Sequence, residues 1–243
     1  MRWVLRACMK GIIPSLIALA LFIMGVLAVR SGVEAPAWAS PIFVVLFSVP
    51  LLVGVWRSHR IKGLVAFAAV GVFAIAIETV GLLTGFPYGE FTYGGLLGPL
   101  LPGGAPILLP FAYVPLVIGA VALVHAKPGL RVLLATLLLV AIDLVLDPGA
   151  VAFGLWSFTG PGILHGVPLS NFVGWLVSGS IAVLLTRFFI DPEPHLSYSL
   201  LLHVSFWTGV VAGFDLLIPT IVGVILMIFV TRSLRASARR SGA

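Results

Sequence analysis

Apolar residues run along this chain in stretches of about 20, the length a helix needs to cross a hydrocarbon core. Short segments holding most of the charges separate them. The pattern predicts eight spans, at 12–29, 41–56, 63–83, 106–124, 130–149, 170–188, 197–213 and 215–231. The last two meet near Gly213-Phe214-Asp215. Read as one helix broken near Pro219, they would give seven spans. Arg2, Arg6 and Lys10 precede the first span and Ala37-Trp38-Ala39 follows it, which is the layout of a signal peptide. Its apolar run is too long for that, so it reads as an anchor. The predicted fold class is all-α: a polytopic helical membrane protein forming one integral membrane domain over residues 1–243, with 232–243 as a basic cytoplasmic tail.

Composition sharpens this picture. Of the residues, 60% are hydrophobic and only 9% charged, and the mean hydropathy is +1.21. A water-soluble domain is about 25% charged, so soluble-enzyme and disordered readings are excluded. The net charge of +6 does not point to nucleic acid, because the basic residues sit in clusters between apolar runs. They report topology instead. With eight spans, every one of the 14 Lys and Arg residues except Arg30 falls on one side. The positive-inside rule makes that side cytoplasmic. The expectation is a multi-pass protein of the cell membrane with both termini in the cytoplasm. The single cysteine, Cys8, excludes an internal disulfide and a cysteine-based metal cluster.

Two connections on the opposite side break the pattern of short polar loops. Residues 84–105 and 150–169 are rich in Gly, Pro and aromatics and hold no Lys or Arg. Irregular backbone at membrane depth survives only where protein buries it or where it lines a cavity. These loops are therefore expected to fold back over the helix ends and roof a pocket.

The acidic residues converge on that same side. Glu34, Asp191 and Glu193 lie in ordinary connections, whereas Glu78, Glu90, Asp143, Asp147 and Asp215 all fall in the outer half or its loops. Asp143 and Asp147, four apart, share one helix face, as do Asn171 and Trp175 at the start of the sixth span. An ionised carboxylate inside a bilayer costs roughly 2.5–3.5 kcal/mol. With no basic residue nearby, the cheaper states are neutral acids or carboxyls sharing a proton, which makes the cluster a proton-donor site. Plainer readings exist residue by residue. Asp215 suits a helix N-cap, Asp147 suits backbone donors at a helix end before Pro148, and Glu90 suits a pocket rim. Glu78 and Asp143 have the least excuse. Phe86, Tyr88, Phe91, Tyr93, Trp156, Phe158, Phe172 and Trp175 lie at the same level. They read either as an interfacial belt or as a wall that steadies a passing cation. His125 and His203 have no second ligand at metal spacing and read as packed histidines.

Three stretches carry a resemblance. Glu78-Thr79-Val80-Gly81, Gly85-Phe86-Pro87-Tyr88-Gly89-Glu90-Phe91-Thr92-Tyr93 and Leu97-Gly98-Pro99 form the first. The second is Asp143-Leu144-Val145-Leu146-Asp147-Pro148, and the third is Trp156 with Gly166-Val167-Pro168-Leu169-Ser170-Asn171-Phe172-Val173-Gly174-Trp175. Together, over roughly residues 75–176, they resemble the CruF-type family of carotenoid biosynthesis membrane proteins, which includes carotenoid 1,2-hydratases. The family often shows Phe-Gly-x-Tyr after the proline; this chain has Tyr88-Gly89-Glu90-Phe91, and the added carboxyl bears on substrate choice or the rim.

The resemblance implies a hydro-lyase without cofactor or metal, acting on a carotenoid or other polyprenyl lipid in the membrane, with other carotenoid biosynthesis enzymes open as partners. Water would add across the terminal C1=C2 bond of an acyclic end group, through protonation at C2 and capture of a tertiary cation at C1. Glu78, Asp143 and Asp147 are the catalytic candidates, with interchangeable roles. Tyr88, Tyr93, Trp156 and Trp175 are candidates for the wall and Asn171 for holding the water. Glu90 and Asp215 are secondary candidates. A membrane carotenoid or terpene cyclase shares the protonation step. A prenyltransferase would need Mg²⁺ and cations for a diphosphate, and the acid-bearing side has only Arg30. A proton-coupled carrier would also use intramembrane carboxyls, but the chain shows no repeated halves.

Overall fold

The computed structural model describes residues 2–33, 36, 38–187, 189–191 and 193–240. Glu34 and residues 241–243 of the tail lie outside the described residues. In chain order the elements are α1 (Arg2–Arg30), α2 (Ala39–Thr84), β1 (Phe91–Tyr93), α3 (Leu109–Leu123), α4 (Pro128–Ala152), β2 (Trp156–Phe158), α5 (Leu169–Thr186), a 3-10 turn (Pro194–Ser197), α6 (Tyr198–Gly213) and α7 (Leu217–Arg240).

Helix α2, at 46 residues, is twice the length a membrane needs. It breaks at Arg60, whose φ of 52° and ψ of −130° are not helical. The break falls in the polar stretch Arg57–Lys62, where charges favour water over lipid. The two arms fold back closely enough that a Cβ on Gly63 would lie 2.8 Å from the Val55 carbonyl oxygen. With α2 counted as two arms, the described residues form the eight helical segments that the hydrophobic pattern predicts. The final pair is separated at residues 214–216, not fused through Pro219, which sits inside the first turn of α7.

Polarity sorts to the two ends. At one end, Ser58 Oγ lies 3.2 Å from Glu193 Oε2 and 3.1 Å from His195 Nε2, and the Asp191 N–H donates to His59 Nε2 at 3.1 Å. This binds the α2 reversal to the α5–α6 connection. The other end carries Arg30, Asp215 and the two Gly/Pro-rich loops.

Helix α3 is the centre. Every residue from Tyr113 to Leu123 is buried, packed by α2, α4, α5 and α6. A helix apolar all round has no face to give to water, so it goes inside. The outer surface is apolar too: Ile12, Leu16, Leu19, Ile23 and Leu27 of α1 are exposed at a helical spacing that suits lipid tails. Six helices among the described residues, α2 included, are long and apolar enough to cross a bilayer, and this is a multi-pass membrane protein. Small residues set the closest crossing. A Cβ on Gly25 would lie 2.2 Å from the Phe206 carbonyl oxygen, and one on Gly209 2.0 Å from that of Phe22. Glycines here let the α1 and α6 backbones touch, a common device where lipid gives no hydrophobic drive to association.

The two long loops do fold back, and they do so together. Strands β1 and β2 pair antiparallel, with Phe91 opposite Phe158, Thr92 opposite Ser157 and Tyr93 opposite Trp156. Gly94 N–H to Leu155 O and Thr159 N–H to Glu90 O, both 2.8 Å, extend the ladder. The pairing joins the α2–α3 and α4–α5 connections into one lid over the bundle.

Candidate active site

The lid aims the first functional group. The β1–β2 register holds the Tyr93 ring against Trp156, centroids 5.9 Å apart, and the Tyr93 hydroxyl donates to Glu78 Oε1. Glu78 stands on α2 a turn and a half before its end and is half-buried. Burial, and after it the Glu78 carboxyl, push the Tyr93 phenol well above its usual range, so it keeps its proton and remains the donor. Tyr88, 5% exposed, is fixed by the bare backbone of α5: a Cβ on Gly174 would lie 2.5 Å from the Tyr88 ring and 2.9 Å from the Pro87 carbonyl oxygen.

The second group is a carboxyl pair. Asp143 and Asp147, one turn apart on α4, are 1% and 4% exposed. Asn171, in the first turn of α5, reaches both. Its Nδ2 donates to Asp143 Oδ2 at 2.9 Å and to Asp147 Oδ2. A side-chain amide has two N–H donors, and here both are committed. Asn171 is therefore a clamp on two acids, and its N–H groups are not free for the water that the sequence reading gave it. The one amide thereby gathers both carboxyls at a single point of α4. Helix α4 continues through Pro148 to Ala152, so Asp147 does not cap a helix end. Asp143 Oδ1, Tyr113 Oη and Ser178 Oγ are buried without a hydrogen-bond partner among the described residues.

A cavity of about 220 Å³ lies beneath the lid. Glu78, Asp147, Asn171, Tyr88, Tyr93, Trp156 and Trp175 line it, and no Lys or Arg is among its lining residues. Asp143 is not on the wall; it stands behind Asp147. Phe91 and Phe158 line the roof, whereas Phe86 is 65% exposed and Phe172 is buried away from the space. Two secondary candidates fall outside. Glu90 is exposed on the lid. Asp215 sits in a left-handed turn, φ 58°, and pairs with Arg30 at 2.5 Å on the surface. The expectation that no base could meet the acids fails at Asp215, because the α1–α2 and α6–α7 connections lie side by side.

The rest of the wall comes from elements to which the sequence reading gave little weight: Met24 of α1, Phe43 and Phe47 of α2, Tyr113 of α3, and His203, Phe206 and Trp207 of α6. Tyr113 stacks on Trp175 at 5.3 Å. The signals that could have found Tyr113 and His203 are their polar tips inside otherwise apolar spans.

Residues 38–230 match the family model described as carotenoid biosynthesis protein. Bisanhydrobacterioruberin hydratase of Haloarcula japonica is 44% identical over 167 residues, covering 64% of this chain and 57% of that protein. The chain thus spans just over half of that relative's length. No solved structure matches. The family match runs from the start of α2 into α7 and takes in both carboxyl-bearing helices, the clamp and the whole lid: the chain belongs to the carotenoid biosynthesis protein family.

Proposed function

We propose that this protein is a carotenoid hydratase, a hydro-lyase that adds water to the terminal C1=C2 bond of an acyclic carotenoid end group. The observation that carries the reading is the cavity itself. Glu78 and Asp147 open onto a space walled by aromatics, with no cation among its lining residues to hold an anionic substrate. The family membership and the hydratase relative favour this reading.

The Asp143–Asp147 pair starts neutral, with two protons between its carboxyls. Asp147, on the wall, gives one to C2. The charge left behind is spread over both carboxyls by the remaining proton and by the two Asn171 N–H donors, which stabilise an anion more than a neutral acid. The π electrons that take the proton leave C1 a tertiary cation. Glu78, held by the Tyr93 hydroxyl, opposes that charge, and the faces of Trp156 and Tyr93 offer it π density. Water attacks C1, and a base facing the cavity takes the surplus proton. General acid–base assistance contributes about 10²–10⁴ in rate, and the preorganised dipoles of the site supply the rest. The polyene lies in the bilayer and enters from the side. The basic end of the bundle is cytoplasmic, the termini with it, and the whole chain acts as one membrane domain.

The test is co-expression in a lycopene-producing host with mass analysis of the pigments. Hydration adds one water per reacted end. Unchanged pigments would overturn the proposal, and a cyclised isomer of unchanged mass would turn it into a cyclase.

A further inference from the structure

The reaction above leaves one role unfilled, the base that takes the proton of the adding water. His203 lies on α6, is 4% exposed and lines the cavity shared with Glu78 and Asp147. Its Nδ1 is 2.8 Å from the Ser199 carbonyl oxygen one turn back. A carbonyl only accepts, so Nδ1 carries the hydrogen and Nε2 presents a lone pair. Phe47 packs T-shaped against the ring at 5.3 Å, which together with the Ser199 bond fixes its orientation. Nε2 has no hydrogen-bond partner among the described residues, and the ring's neighbour Phe47 borders the same cavity, as do Phe206 and Trp207 one turn along α6. A hydrogen-bond acceptor facing an apolar wall is costly unless a donor comes to it. A hydrocarbon has no such donor, and water does.

We infer that His203 is a catalytic residue, holding the water that captures the C1 cation and taking its proton on Nε2. This rests on the hydratase reading. The atoms balance. The alkene π pair binds the proton from Asp147 at C2, and the water oxygen donates a lone pair to C1. As the C–O bond forms, one O–H bond breaks, its electrons staying on oxygen and its proton passing to Nε2. The imidazolium then returns that proton to the carboxyl pair, and the net change is alkene plus water to tertiary alcohol. His203 thus acts after protonation and not in it.

That order gives the test a readout that a packing role would not move. Membranes carrying the full-length protein are incubated with an acyclic carotenoid in D₂O. Both the tertiary alcohol and deuterium at C2 of unreacted substrate are measured. Deuterium enters when the cation forms and collapses back, whether or not water captures it. His203→Phe fills the ring's space and offers no lone pair. It is expected to lower hydration by about 10²-fold or more while deuterium entry stays within a few-fold of the parent. His203→Gln, which accepts a hydrogen bond and is no base, is expected to fall between. Parallel loss of alcohol and deuterium entry in His203→Gln, or full hydration by His203→Phe, overturns the inference. Absence of both signals in the parent protein overturns the hydratase reading on which it stands.

Discussion

At the scale of single residues, the two groups on the cavity differ in what surrounds them, and their variants should differ accordingly. On the proposed mechanism Asp147→Asn removes the proton that would reach the alkene, and conversion per unit of membrane protein is expected to fall about 10²–10⁴-fold. Full activity of that variant would move the acid elsewhere. Tyr93→Phe keeps the ring against Trp156 and deletes only the hydrogen bond to Glu78. A hydrogen bond to a charged group is worth about 1.5–3 kcal/mol, so a loss of roughly 10–100-fold is expected. Because the Tyr93 phenol is raised above its usual range, its donating form persists below that raised value, and alkaline pH through about 10 should not mimic the substitution. A pH profile of the parent beside Tyr93→Phe checks both points.

At the scale of elements, glycines decide how closely parts approach, and two of them make opposite predictions. Gly174→Ala sets a methyl against Tyr88 and the Pro87 carbonyl, so the lid must lift. Activity is expected to drop sharply while helix content, read by circular dichroism, is unchanged. Gly209→Ala drives a methyl into the Phe22 backbone, where no side chain can swing aside. A destabilisation of about 1–3 kcal/mol is expected, seen as a lower melting temperature in detergent. The spans, the paired acids on α4 and the roofing role of the loops were legible in the sequence, because each depends on a period or on the cost of polar groups in lipid. The β1–β2 ladder was not: three-residue strands have too little alternation to show, and their pairing joins Tyr93 to Trp156, which are far apart along the chain. Nor was the α6 wall, since His203 and Trp207 lie in an apolar helix whose pattern says only that it is buried. Asp215 was misplaced for a related reason. Charge counting along the chain could not show Arg30 beside it.

At the scale of the whole molecule, charge is divided between two ends, and the cavity stands at the end poor in cations. A reporter active only in the cytoplasm, fused after residue 243, is expected to be active; silence would invert the orientation. The Arg30–Asp215 pair, with side chains 53% and 77% exposed, adds about 0–1 kcal/mol at most and fastens neighbouring connections only loosely. Its position matters for a different reason. Helix α1 packs on α6 and α7 and barely meets α2, yet Ala28 of α1 and Ser40 of α2 both border the cavity. On the proposed function, a substrate entering from the bilayer would pass through the seam between them. With Cys8 replaced by Ser, joining Ala28→Cys to Ser40→Cys through a bifunctional maleimide is expected to stop turnover; undiminished turnover would put the doorway elsewhere. A molecule fed through such a slot is handled tip first, while its remainder stays dissolved among the acyl chains. The catalyst would then be indifferent to overall length and to whatever decorates the far terminus, and symmetric pigments would be finished in two separate visits.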